Sequence, residues 1–202
     1  MAGSPAGDLA RRLGIRTGRV AVPCGVLAIV VGAVLFLLPP HSTIAAIVLG
    51  LAGVGSFGLG AVRLAGGPWW ALAAAIVSGG LLFAALTVAG RGLLLHTFGG
   101  TETCEVAQRQ EVDTRSRYQH YGFVHTLACP NAGTLTIRTD STDRQPQGAR
   151  VEVLDDPGGL LEPDFASRHN TVVDALALVA AVGLAAATVR FTWRQAAVRS
   201  AN

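Results

Sequence analysis

The chain contains no lysine: all 16 of its basic residues are arginine. A glycine-rich phosphate loop closed by lysine is therefore excluded. Formal charge is almost absent from residues 20–90, where Arg63 stands alone. Proton relays, ion pathways and most transport sites place Asp, Glu, His or Arg at membrane depth, and no apolar run here has such a residue near its middle. Cysteine is scarce, with three in 202 residues and no C-x-x-C pair. The chain also lacks a nucleophile motif, paired carboxylates in a defined context and metal-ligand spacing, so no catalytic, cofactor or metal residue is assigned.

What is present is apolar and segregated. Half of the residues are hydrophobic, 14% are charged and the mean hydropathy is +0.45, the balance of a chain that uses lipid as solvent. Residues 91–170 behave differently and carry eight arginines and eleven acids. The formal charge of +3 does not mark a nucleic-acid binder, because the basic excess sits in short stretches beside apolar runs.

A bilayer core needs about 20 apolar helical residues. Four segments meet this length: Val20 to Leu38, Thr43 to Val62, Trp69 to Ala89 and Val172 to Val189. Pro39-Pro40 removes two backbone donors after the first, and Gly66-Gly67-Pro68 turns the chain into the third. Arginine sets the direction, since short cytoplasmic segments retain positive charge. Arg11, Arg12, Arg16 and Arg19, then Arg63, then Arg190, Arg194 and Arg199 all fall on one side, while the long loop is net acidic. The predicted organisation is a cytoplasmic tail (1–19), three spans (20–90), an extracytoplasmic domain (91–170), a fourth span (171–190) and a cytoplasmic tail (191–202). Trp69, Trp70 and Trp193 then share the cytoplasmic interface, where an indole buries its ring and keeps its N–H wet.

Arg11-Arg12 resembles the start of a twin-arginine signal, but the apolar run is long for one and no small-x-small site precedes Pro39, so cleavage is not expected. Cys24 lies at the start of its apolar run, after Pro23, whereas a lipidated cysteine would follow that run, which disfavours lipidation; a small buried side chain is expected. Small residues four apart let helices approach in lipid, and candidate rows are Ala28/Gly32, Ala52/Ser56/Gly60, Ala71/Ala75/Gly79 and Ala177/Ala181/Ala185. Asp174 stands three residues after Thr171, the spacing of a capping box at the start of the fourth span.

Between Arg91 and Asn170 the pattern shortens to alternating stretches divided by turn residues, which predicts β structure. Expected strands are Glu102 to Arg109, Arg117 to Ala128, Gly133 to Thr139 and Ala149 to Leu154, with an irregular return over Glu162 to Asn170. Cys104 and Cys129 both lie in this domain, on the side where oxidation is permitted, and are expected to form a structural disulfide. The strands are expected to form a small barrel or curled sheet of four or five strands, and the fold class that follows is a four-helix membrane bundle with a small, disulfide-linked, barrel-like extracytoplasmic β domain between helices 3 and 4.

The five histidines, His41, His96, His120, His125 and His169, all fall on the outer side and raise a metal site as one reading. His120 and His125 differ in strand parity and so face opposite ways. Tyr118, Tyr121 and Phe123 read as the aromatic filling of a small hairpin core, with Arg115 and Arg117 nearby. The Asp140 to Asp143 turn is too short for a calcium loop.

The run Gly148-Ala149-Arg150-Val151-Glu152-Val153-Leu154-Asp155-Asp156-Pro157, which fits G-x-x-V-x-V-x-x-D-P after a cysteine-bearing first strand, resembles a group of small, mostly uncharacterised actinobacterial-type multi-pass membrane proteins. In that group a β domain is inserted between membrane helices. The resemblance implies topology and a bacterial cell-membrane location, and supplies no catalytic residue. The functional expectation is a non-enzymatic scaffold or accessory subunit, without cofactor, whose partners are the lipid bilayer and a membrane or envelope protein. Two alternatives stay open: a small transporter or channel component, and an extracytoplasmic thiol-redox or metal-binding protein.

Overall fold

The structure, a computed structural model, describes residues 5–39, 42–114, 120–140 and 143–201, and their side chains except at 5–13, 113–114, 120–121 and 200–201. Along these residues run α1 (Pro5–Leu37), α2 (Thr43–Ala65), α3 (Trp69–Thr87), α4 (Ala89–Phe98), β1 (Gly100–Thr114), β2 (His120–Cys129), β3 (Gly133–Thr139), β4 (Arg150–Asp155), β5 (Asp164–Phe165), a 3₁₀ turn at Ala166–Arg168, and α5 (Thr171–Ala201). The chain divides into a helical unit, Met1–Gly90 with Asp174–Asn202, and a β unit, Arg91–Val173.

Four helical segments among the described residues are long and apolar enough to cross a membrane: Gly14–Leu37, Thr43–Ala65, Trp69–Phe98 and Thr171–Arg199. Two helices outrun their expected apolar limits. α5 runs past Val189 because its flanking arginines are good helix formers and neither Gly nor Pro follows, and α1 starts well before Val20 even though Gly14 and Gly18 lie in the added stretch. The third span continues almost without a break into α4, since Val88 between them keeps right-handed helical dihedrals. Helix therefore continues to Phe98, into the stretch expected to open the β domain.

Within the helical unit, α1 and α2 form a hairpin whose contact is backbone on backbone. A Cβ on Gly25 would lie 2.5 Å from the Phe57 nitrogen, and one on Gly53 would lie 2.7 Å from the Ile29 nitrogen. Only glycine admits such an approach, which brings the two backbones into dispersion contact. Gly18, Gly25 and Gly32 recur every seven residues on α1; on α2 Gly18 approaches the Gly60 carbonyl, Gly25 the Gly53 carbonyl, and Gly32 the Ala46 carbonyl and Gly50. The seam is thus a heptad of glycines. Ser56 adds an interhelical hydrogen bond, its hydroxyl donating to the Ala21 carbonyl at 3.1 Å. Of the expected Ala52/Ser56/Gly60 row, Ser56 and Gly60 lie at the seam and Ala52 faces outward. Ala71, Ala75 and Gly79 are buried together on α3; on α5 Ala181 and Ala185 are buried against Ile29 and Leu82, while Ala177 is exposed. Cys24 is exposed on α1 rather than buried, because Gly25 beside it takes the contact position.

The β unit is a five-stranded antiparallel sheet ordered β3-β2-β1-β4-β5. It takes the curled-sheet form of the two expected: among the described residues no ladder joins β3 to β5, so the sheet stays open. The fifth strand lies in the stretch expected to be irregular. Its core is built from Cys104, Val106, Leu127, Ile137, Val153 and Phe165, the inward-facing members of alternating strands. A bulge at Ala107 shifts β1 by one residue, which brings Arg109 opposite the inward-facing His125. A second cluster packs Leu95 of α4 against Leu154 and Leu161. That burial explains why Leu93-Leu94-Leu95 stays helical.

Candidate functional site

The predicted disulfide is formed. Cys104 and Cys129 are bonded, with their Cα atoms 4.4 Å apart, on the adjacent strands β1 and β2. The spacing is that of a non-hydrogen-bonded cross-strand pair. Both cysteines are buried, at 1% and 8% exposure, so the bond is shielded from attacking thiolates. Glu102 lies near both sulfurs, and this trio is the one group with metal-like spacing among the described residues. It is not a metal site in this form, since the disulfide holds no thiolate and the Glu102 carboxylate accepts from the Asn131 and Ala132 amides of the β2–β3 turn.

The dense polar constellation of the β unit lies elsewhere, around Asp164, and was not foreseen from the sequence. Asp164 begins β5 and is 7% exposed. Its Oδ1 accepts from the Phe165 amide (2.9 Å) and from Arg168 Nη1 (3.2 Å); its Oδ2 lies 3.2 Å from His169 Nε2 and 3.9 Å from Arg91 Nη2. Burial on its own would raise the carboxyl's pKa. The His169 hydrogen bond, the charges of Arg91 and Arg168 and the Phe165 amide outweigh burial and hold it below the usual carboxylate value.

Arg168 binds a second acid through Nε, Asp143 Oδ2 at 2.6 Å, and lies over the Phe165 ring. Burial disfavours its charge, but the two carboxylates more than compensate and push its pKa up. Arg91 donates to the Glu162 carbonyl at 3.0 Å. The result is a clamp: the start of the unit (Arg91), the loop after β3 (Asp143) and the segment leading out to α5 (Asp164 to His169) are tied to one another by charge-assisted bonds.

His125 sits beside this clamp and is completely buried. Its Nε2 accepts from the Gln145 amide (3.3 Å), its Nδ1 is 3.5 Å from the Thr139 hydroxyl, and the Phe165 ring meets it edge-on at 5.6 Å. Burial lowers its pKa, aided by Arg109 and Arg168 and opposed by Asp143. It is a core histidine held toward its neutral form.

The other predicted residues are dispersed. His96 hydrogen-bonds the Gly92 carbonyl of its own helix, and no described histidine joins a metal-spaced cluster. His41, Tyr118, Arg115 and Arg117 lie outside the described residues, as do the side chains of His120 and Tyr121. Phe123 is buried with the guanidinium groups of Arg109 and Arg144 near its ring. The start of α5 is capped by Asn170, whose Oδ1 accepts from the Val172 and Val173 amides. Thr171 is instead the first helical residue and Asp174 lies in the first turn, because asparagine one position earlier already satisfies those donors. In the helical unit, Trp70 meets Phe191 edge-on at 5.4 Å, Arg19 lies over the Trp193 ring at 5.8 Å, and Trp69 is 79% exposed. Arg199 fills the space beside Gly66, whose positive φ closes α2. These tryptophans and arginines thus gather at one end of that unit.

Two features carried a sequence signal that alternation and i,i+4 spacing could have disclosed: His125 shares strand parity with Phe123 and Leu127, and Asp164 precedes Arg168 by four. Compared with protein-family models, curated proteins and solved structures, the chain matches none of them.

Proposed function

We propose that the chain is a non-enzymatic integral protein of the bacterial cell membrane, with both termini cytoplasmic, that holds its β unit on the extracytoplasmic side as a scaffold or accessory subunit for a membrane or envelope protein. The observation that carries this reading is the use made of the charged groups. Asp143, Asp164, Arg91 and Arg168 are engaged with one another, and His125 is buried and neutral. Such a cluster braces a domain rather than activating a nucleophile. The buried disulfide supports a structural role over thiol exchange. Backbone contact between α1 and α2 supports a scaffold over a conduit.

The test uses the full chain in its native membrane, with a photo-crosslinking residue placed at Glu105, Thr136 or Glu152, all exposed on the sheet. Discrete, reproducible adducts with a membrane or envelope protein from at least one position are expected. A monomer with no adduct from any of the three overturns the proposal.

A further inference from the structure

The open side of the curled sheet is a slot of about 430 Å³, bounded by Thr136 to Arg138 of the edge strand β3 and by Glu162 to Arg168 around the opposite edge. Which backbone groups of β3 face this slot follows from the ladder. On β1, Val106 donates to the Ala149 carbonyl (2.9 Å) and accepts from the Gly148 amide (2.8 Å), so its hydrogen-bonding groups, and those of Cys104 two residues earlier, point toward β4. The 4.4 Å Cα spacing of Cys104 and Cys129 agrees, being that of a non-hydrogen-bonded pair. Cys129 and the odd-numbered residues of β2 therefore bond toward β3. Their partners are Gly133, Leu135, Ile137 and Thr139. The amides and carbonyls of Thr134, Thr136 and Arg138 consequently point away from the sheet, and none has a hydrogen-bond partner among the described residues.

An edge of this kind is a template for another strand. Its charge is also unbalanced. Arg91 and Arg168 are held by Asp164, Glu162 and Asp143, whereas Arg138, exposed on the strand itself, has no carboxylate within ion-pair distance among the described residues. We propose that the outward edge of β3 takes up an extended, acidic segment of a partner protein by strand addition, with an acid of the added strand opposite Arg138. This rests on the scaffold reading above and gives its partner a docking surface and a chemistry.

The probe is a synthetic peptide, Thr-Val-Glu-Val-Glu-Val-Thr, added to the full chain in phosphatidylcholine nanodiscs, with amide exchange followed by NMR. Slowed exchange is expected at Thr134, Thr136 and Arg138, with Leu135 and Ile137 unchanged because they already bond to β2. Thr136→Pro removes an outward donor without touching the β2–β3 ladder; it should leave the disulfide and far-UV spectrum intact yet weaken peptide binding about two- to tenfold. Arg138→Glu should weaken the acidic peptide about two- to fivefold and favour its lysine counterpart. Absence of protection at the three residues overturns the proposal. So does protection that grows with protein concentration alone, which marks a second copy, or that follows anionic lipid in place of peptide. If these fail while crosslinks form at Glu105 or Glu152, the scaffold reading stands and only the docking edge is wrong; if no position crosslinks, the reading itself fails.

Discussion

Asp164 shows how one side chain can tie distant segments of the β unit together. Removing its charge leaves Arg168 and Arg91 facing a neutral amide in a poorly solvated place, and breaking one partner of a buried pair costs about 3 kcal/mol. Asp164→Asn should therefore lower the stability of the β unit by about that amount, read from amide exchange of its strands, with no comparable change in the helical unit. His125 gives the unit a pH dependence of definite sign. Burial holds the folded ring below its ordinary 6.5, so the unfolded chain binds the proton first as pH falls. The contribution of the neutral ring is complete above about pH 6.5 and is lost as pH falls through that value toward the folded pKa. Asp164 acts lower, its contribution being present above 3.8 and lost beneath it. Thermal unfolding between pH 8 and 5 should thus show a falling midpoint, and His125→Phe should flatten it. An unchanged slope in that variant would remove His125 as the cause.

At the level of elements, the strands and the glycine seam rest on different physics. The disulfide joins two strands already paired by hydrogen bonds, and closing a 25-residue separation stabilises by about 3 kcal/mol in the chain-entropy model. Replacing Cys104 and Cys129 together by alanine should lower β-unit stability by that order in chemical denaturation. The α1–α2 seam depends on absent side chains instead. Gly53→Val would push a methyl-bearing carbon into the backbone of Ile29, and overpacking of this kind costs about 1–3 kcal/mol. Engineered crosslinks between α1 and α2 should form less efficiently in Gly53→Val than in Gly55→Val, since a Cβ at Gly55 meets open space. Strand positions were legible because alternation survives in short runs such as Leu135 and Ile137. The glycine heptad was overlooked because small residues recur everywhere in this chain, and only the backbone approach singles out one row. α4 was overlooked for a related reason: Leu93-Leu94-Leu95 has no helical or strand period until Leu154 and Leu161 give one of its faces a partner.

At the scale of the whole molecule, the distribution of arginine is the main guide to orientation. Arg19, Arg199 and the three tryptophans lie at one end of the helical unit, the end that the proposed topology places in the cytoplasm. A fluorescent protein fused after Asn202 should accordingly light up, while alkaline phosphatase fused there should stay inactive; the reverse pair of results would invert the proposed topology.

Composition and pattern by themselves determined the apolar helices and most of the strands, because hydropathy and alternation are properties of neighbouring residues. They also paired the two cysteines, since only one partner for each lay in the same polar segment. The tertiary structure decided what depends on residues remote in sequence: the clamp joining Arg91, Asp143, Asp164 and Arg168, the neutrality of His125, the glycine contact between α1 and α2, and the failure of β3 to reach β5. That last outcome depends on the curl of the whole sheet, to which a bulge such as the one at Ala107 adds twist and which no local pattern encodes.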